Sequence, residues 1–132
     1  MLSEPNWTPV QSLVDLNVDV VALTGEPHGI LSIGLLESAW AKPINRWHYG
    51  ETDLLTLAVA LMLGIAQNHT FQQGNKRTAL AAGLMFLEGN GMCAPDLLDS
   101  TELADAFVAL IEHRTDEQAF VDRLRPHVSS RG

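Results

Sequence analysis

The sequence predicts an all-α protein, a compact bundle of about six helices around a central apolar helix. Three observations carry that expectation. Apolar residues recur at helical spacing in one segment after another. No stretch alternates apolar and polar residues as a half-buried strand would. Between Thr78 and Leu87 there are ten residues without a charge, the pattern of a helix surrounded by others. The chain has 132 residues, 46% of them hydrophobic. That is enough to bury one core, so a single domain over 1–132 is expected.

The elements follow in order. Thr8 is placed to cap a first helix, with Pro9 at its first position and Gln11 completing a capping box. Leu13, Val14, Val18, Val21 and Ala22 form its apolar face, and Gly25 and Pro27 end it. A short second helix spans Ile33 to Ala41 and stops before Pro43. Ile44 to Glu51, holding Trp47, His48, Tyr49 and Gly50, reads as an ordered loop. Asp53 to Asn68 is a strong helix with Leu54, Leu57, Ala58, Leu61, Met62 and Ile65 on its buried stripe. After a loop, a helix begins at Asn75, runs to about Glu88 and carries no charge between Thr78 and Leu87. Gly89-Asn90-Gly91 stops it. Asp99 with Glu102 opens a helix to about His113, and Thr115 with Gln118 opens a last one to about Arg125.

Composition excludes several functions. A formal net charge of -8 makes the chain a poor binder of nucleic acid or of an anionic membrane, since both need clustered cations. The most apolar stretch, Leu54 to Ala66, has 13 residues, where a membrane span needs about 20. Cys93 is the single cysteine and has no partner for an internal disulfide. A cytoplasmic location is expected.

Chemistry concentrates in His69-Thr70-Phe71-Gln72-Gln73-Gly74-Asn75-Lys76-Arg77-Thr78, the loop between the two most apolar helices. Only two lysines occur in the chain, and Lys76 is one. A helix beginning near Asn75 aims the unpaired amides of Lys76, Arg77 and Thr78 outward with about half a positive charge, which is an anion site. Gly74 permits positive φ and close approach of a ligand. Cations at a helix start oppose the dipole, a local conflict that points to function. His69, with an ordinary pKa near ~6.5, suits proton abstraction from a hydroxyl. Phe71 should turn inward and anchor the loop. Elsewhere, His48 reads as part of a packed aromatic loop, and His28, His113 and His127 lack metal-ligand spacing.

The run His-x-Phe-x-x-Gly-Asn-Lys-Arg-Thr from His69 to Thr78 resembles the signature of the Fic/Doc family, specifically its Doc (death-on-curing) branch. His28-Gly29-Ile30, Gly34 to Ala39, and Phe86 to Gly91 extend the likeness over roughly residues 28 to 91. The resemblance implies an all-α bundle that uses ATP and Mg²⁺. It implies His69 as general base, Gly74, Asn75, Lys76 and Arg77 around the phosphates, and the position of Gln73 as metal-binding. Doc proteins are toxins that phosphorylate a threonine of elongation factor Tu and are held in check by a Phd-type antitoxin; Fic proteins transfer AMP instead. The family pattern has an acid where this chain has Gln73. The chain is therefore a weakened enzyme, one with another metal ligand, or a relative that works by binding a partner.

Overall fold

The computed structural model describes residues 3–131. Its helices are α1 (Val10–Ala22), α2 (Ile33–His48), α3 (Leu54–Gln67), α4 (Asn75–Glu88), α5 (Thr101–Ile111) and α6 (Glu117–Leu124). Two short strands, β1 (Met92–Cys93) and β2 (Ser129–Ser130), pair antiparallel with Met92 opposite Ser130. The all-α expectation holds. At two residues each, the strands are too short to show an alternating pattern.

The central place belongs to α3. Eleven of its residues are buried, from Leu55 and then Leu57 through Ala66, and it packs against α2, α4, α5 and α6. Helix α4, without a charge from Thr78 to Leu87, is only partly enclosed: Thr78, Ala79, Ala82, Gly83, Phe86 and Leu87 are buried while Met85 reaches solvent. A lack of charge allowed burial on all sides, but the bundle covers only one face of this helix. The approach of α2 to α3 is close at Gly64, where a Cβ would lie 3.0 Å from the Ala39 Cα. Glycine lets those backbones meet.

Pro43 does not end α2. It sits buried inside the helix, which continues for five residues to His48. An interior proline costs about 3 kcal/mol through a lost hydrogen bond and a clash. The turns beyond it are held by other contacts: Trp47 packs on the core, and Arg46 pairs with Glu117 of α6. Arg46 and His48 also suit the negative end of the helix. The segment expected as a loop is therefore mostly helical.

The expected caps shift by one residue. Pro9, not Thr8, precedes α1 without a side-chain cap; Thr8 is buried and its carbonyl accepts from Trp40 Nε1 at 2.7 Å. Ser100 and Asp116 cap α5 and α6 by accepting from the amides of Leu103 and Ala119. Near the far end of α4, the Asn6 amide donates to Asn90 Oδ1 (2.7 Å), and Asn90 Nδ2 donates back to the Asn6 carbonyl (3.0 Å). The Arg131 amide donates to the Gly91 carbonyl at 2.8 Å. Among the described residues no helix is long and apolar enough to cross a membrane.

Candidate active site

The loop between α3 and α4 is held from four directions. Phe71 is fully buried and anchors it, in line with the expectation that it turns inward. Asn75 grips the Phe71 backbone twice: Oδ1 accepts from the Phe71 N–H and Nδ2 donates to the Phe71 carbonyl, both at 2.8 Å. The extended residues Gly29 to Leu31 run alongside, with Leu31 donating to the Thr70 carbonyl (3.0 Å) and Gln72 to the Gly29 carbonyl (2.8 Å). From α1, the buried Asn17 donates to the Gln73 carbonyl (2.8 Å) and to Thr78 Oγ1 (3.1 Å). Its Oδ1 lies 2.7 Å from His28 Nδ1, which must carry the proton because an amide oxygen only accepts.

This scaffold presents the start of α4. Gly74 is the N-cap in left-handed conformation (φ 75°) and has no side chain to cap the helix. The Thr78 amide closes the first helical bond to the Gly74 carbonyl at 2.9 Å. Thr78 is thus not one of the outward amides; those of Asn75, Lys76 and Arg77 are, as the first three N–H groups of the helix. Asn75 contributes its backbone, since its side chain is engaged with Phe71.

His69, Gln73, Gly74, Asn75, Lys76 and Arg77 all line one cavity of about 330 Å³. That is near the lower end for small-molecule sites. The sequence-predicted residues are therefore brought together. His69 is exposed and itself in the left-handed region (φ 48°), and among the described residues no hydrogen bond orients its ring. Gln73 and Lys76 are exposed, and Lys76 is in no ion pair among the described residues. A larger hollow of about 440 Å³ beside Asn6 and Asn90 has no basic side chain in its lining.

Arg77 is already engaged. Its guanidinium pairs with Glu26, from the turn after α1, and contacts Thr24 Oγ1 at 3.3 Å and the Val20 carbonyl at 3.5 Å. Glu26 lines the same cavity. Hydrogen bonds from Thr24 and then Arg77 hold its carboxyl below the ordinary carboxylate range. Sequence reasoning missed Glu26 and Asn17. A glutamate in a turn has no periodic signal, whereas Asn17 had one: it falls between Leu13 and Val21 on the buried stripe of α1.

The Fic/DOC family model matches residues 7–87, which span the scaffold and the cavity loop. The chain belongs to the Fic/Doc family. Within that family it is 31% identical over 116 residues to the "Protein kinase doc" of Escherichia phage P1, covering 87% of this chain and 90% of the relative. It is 39% identical over 80 residues to the "Toxin Doc" of Mycolicibacterium smegmatis, covering 58% and 60% of the two chains. These relatives are of the Doc branch.

Proposed function

We propose that this Fic/Doc protein is a Doc-type toxin that transfers the γ-phosphoryl group of ATP to a hydroxyl of a target protein. The observation that carries the reading is the bare start of α4. Three outward amides and Lys76 face a cavity that also holds His69. Such a start binds phosphate through its amides and its dipole. Lys76 adds a point charge, and Arg77 has N–H groups left over beyond its three contacts.

In the proposed step the target oxygen bonds to the γ-phosphorus as the bond to the β-bridging oxygen breaks, and ADP leaves. A ring nitrogen of His69 takes the hydroxyl proton. Phosphoryl transfer asks the protein chiefly for positioning and charge stabilisation, and the loop's many backbone anchors supply the former. Mg²⁺, when bound with the nucleotide, would neutralise charge on the phosphates. The described residues contain no cluster of three or more metal-ligating side chains. That composition fits an ion held by one or two protein oxygens and by phosphates. Gln72, Gln73 and Glu26 bear side-chain oxygens in the cavity wall, where the Asn75 oxygen is engaged with Phe71.

The resemblance of the motif loop to the Doc branch implies a threonine of elongation factor Tu as the target, a block of translation in the cytoplasm as the effect, and a Phd-type antitoxin as the controlling partner. Incubating protein and target with ATP labelled on either phosphorus tests the reading. Transfer of γ-label, lost in His69→Ala, is expected. Transfer of α-label would make the protein an AMP transferase of the Fic kind. The uncharged Gln73 favours one second reading, a relative that acts by partner binding; absence of transfer from either label would favour it.

A further inference from the structure

We propose that Glu26 supplies the metal-binding carboxylate that Gln73 lacks. The inference rests on the phosphotransfer reading above and adds a residue to that site. Three observations lead to it. Glu26 arrives from outside the signature loop yet lines the same cavity as Gln73, Asn75 and Lys76. Its position is fixed: Thr24 Oγ1 and Arg77 both donate to Oε1. Both of these bonds fall on one oxygen, so Oε2 carries neither of them.

A carboxylate anchored through one oxygen, with the other spare beside a phosphate-binding helix start, is what a magnesium–nucleotide complex requires of a protein. Magnesium keeps most of its shell as water and phosphate and takes one or two carboxylates. Gln73 offers a neutral oxygen, and an amide contributes far less than an anion to a doubly charged ion. Arg77 then has two tasks. It orients Glu26 through one N–H, and of its five N–H groups about two, those beyond the contacts with Glu26, Thr24 and the Val20 carbonyl, are left for the phosphates. The divalent ion would be bound only as part of the nucleotide complex, since a single carboxylate paired to an arginine holds no metal by itself.

The test uses Mn²⁺ as a paramagnetic stand-in and AMP-PNP as a non-hydrolysable ATP analogue. Electron paramagnetic resonance reads bound Mn²⁺, and calorimetry reads AMP-PNP with Mn²⁺ or with chelator. Wild-type protein should retain Mn²⁺ only when AMP-PNP is present. Glu26→Gln should weaken the ternary complex at least tenfold while metal-free AMP-PNP binding is no weaker. Gln73→Asp in the Glu26→Gln background should restore Mn²⁺ retention. Circular dichroism should show the wild-type helix content, because a half-exposed ion pair contributes little to stability. Unchanged Mn²⁺ retention in Glu26→Gln overturns the proposal. So does a variant that binds AMP-PNP more tightly and equally with and without metal, for Glu26 would then be a competitor of the phosphates. Failure of wild-type protein to bind AMP-PNP under any condition removes the phosphotransfer reading and this inference together. Binding that ignores Glu26 removes this inference alone.

Discussion

Asn75 holds Phe71 by both backbone groups, donating to its carbonyl and accepting from its amide, each at 2.8 Å. A polar side chain at the start of α4, in the wall of the candidate site, thus spends itself on shaping the loop. Asn75→Ala strands the Phe71 N–H and carbonyl in a partly buried place, where each unmade bond costs about 1–3 kcal/mol. The expected outcome is a melting temperature several degrees lower and weaker AMP-PNP binding. Asn75→Asp keeps the acceptor and loses the donor, so it should fall between the two in a thermal melt.

His69 combines exposure with a left-handed backbone (φ 48°). His69→Ala should lower transfer by about 10²- to 10⁴-fold, the range for a general base, with helix content unchanged. Glycine at this position removes a Cβ penalty of about 1–2 kcal/mol against an entropy cost of about 0.5–1 kcal/mol. His69→Gly should therefore melt at or slightly above wild type while remaining inactive. A variant of either kind that still transfers phosphate would overturn the role.

Lys76 and Arg77 are neighbours with different duties. Among the described residues Lys76 is in no ion pair, and it lies in the first turn of α4. Lys76→Ala should weaken nucleotide binding by about 1.5–3 kcal/mol, the value of a charged hydrogen bond, and the loss should shrink as salt rises. The same change should stabilise the nucleotide-free protein by up to about 1 kcal/mol, because a cation there opposes the dipole. Arg77→Ala should show no such gain, since it also abandons Glu26. Calorimetry and denaturant melts of the two variants side by side check both halves.

Gln73→Asp puts a carboxylate where the proposed site has an amide. It should tighten Mg²⁺-dependent AMP-PNP binding, and tenfold requires only about 1.4 kcal/mol. Titration with and without Mg²⁺ reads the effect. An equal gain in chelator would show that the new carboxylate acts on the loop and not on the metal.

Asp53 and Arg125 give the fold an acid-sensitive tie between the start of α3 and the end of α6, at 2.8 Å. Burial pushes the Asp53 carboxyl up, but hydrogen bonds from Arg125 and Thr56 outweigh it and hold the carboxyl below its ordinary value. A lowered folded-state pKa means stability that is present above the unfolded value, near ~3.9, and lost as pH falls through the folded one. Asp53→Asn should therefore flatten the decline of stability below about pH 4, relative to wild type. Urea melts at stepped pH measure this.

The motif loop was the most legible part of the chain. Its residues are contiguous, and a helix start gathers neighbours in sequence into neighbours in space. What stayed hidden was what reaches it from elsewhere. Glu26 and Asn17 approach through tertiary contacts with Arg77 and Gln73, across 51 and 56 positions of chain. Within α1 the apolar residues Val14 and Val18 drew the expected face, whereas the bundle buries Asn17 and leaves Val18 exposed. The hydrogen bonds that satisfy Asn17 outweigh its polarity. Pro43 misled for a related reason: local chemistry favours a stop, and core packing beyond it overrides the preference. The central helix was misassigned because absence of charge does not distinguish a helix enclosed on all sides from one covered on a single face.

The clasp between Asn6 and Asn90, and the bond from Arg131 to Gly91, bring two distant stretches of polypeptide to a single turn. Cutting the chain at the exposed turn of His113 and Arg114 would therefore leave the later fragment tied to the Gly91 turn by Arg131 as well as by the core. The clasp lies past the C-terminal end of α4, a helix of 14 residues and so about 21 Å long, with the cavity at its other end. The bundle is in this sense nearly a ring, with its join and its chemistry at opposite poles of one helix.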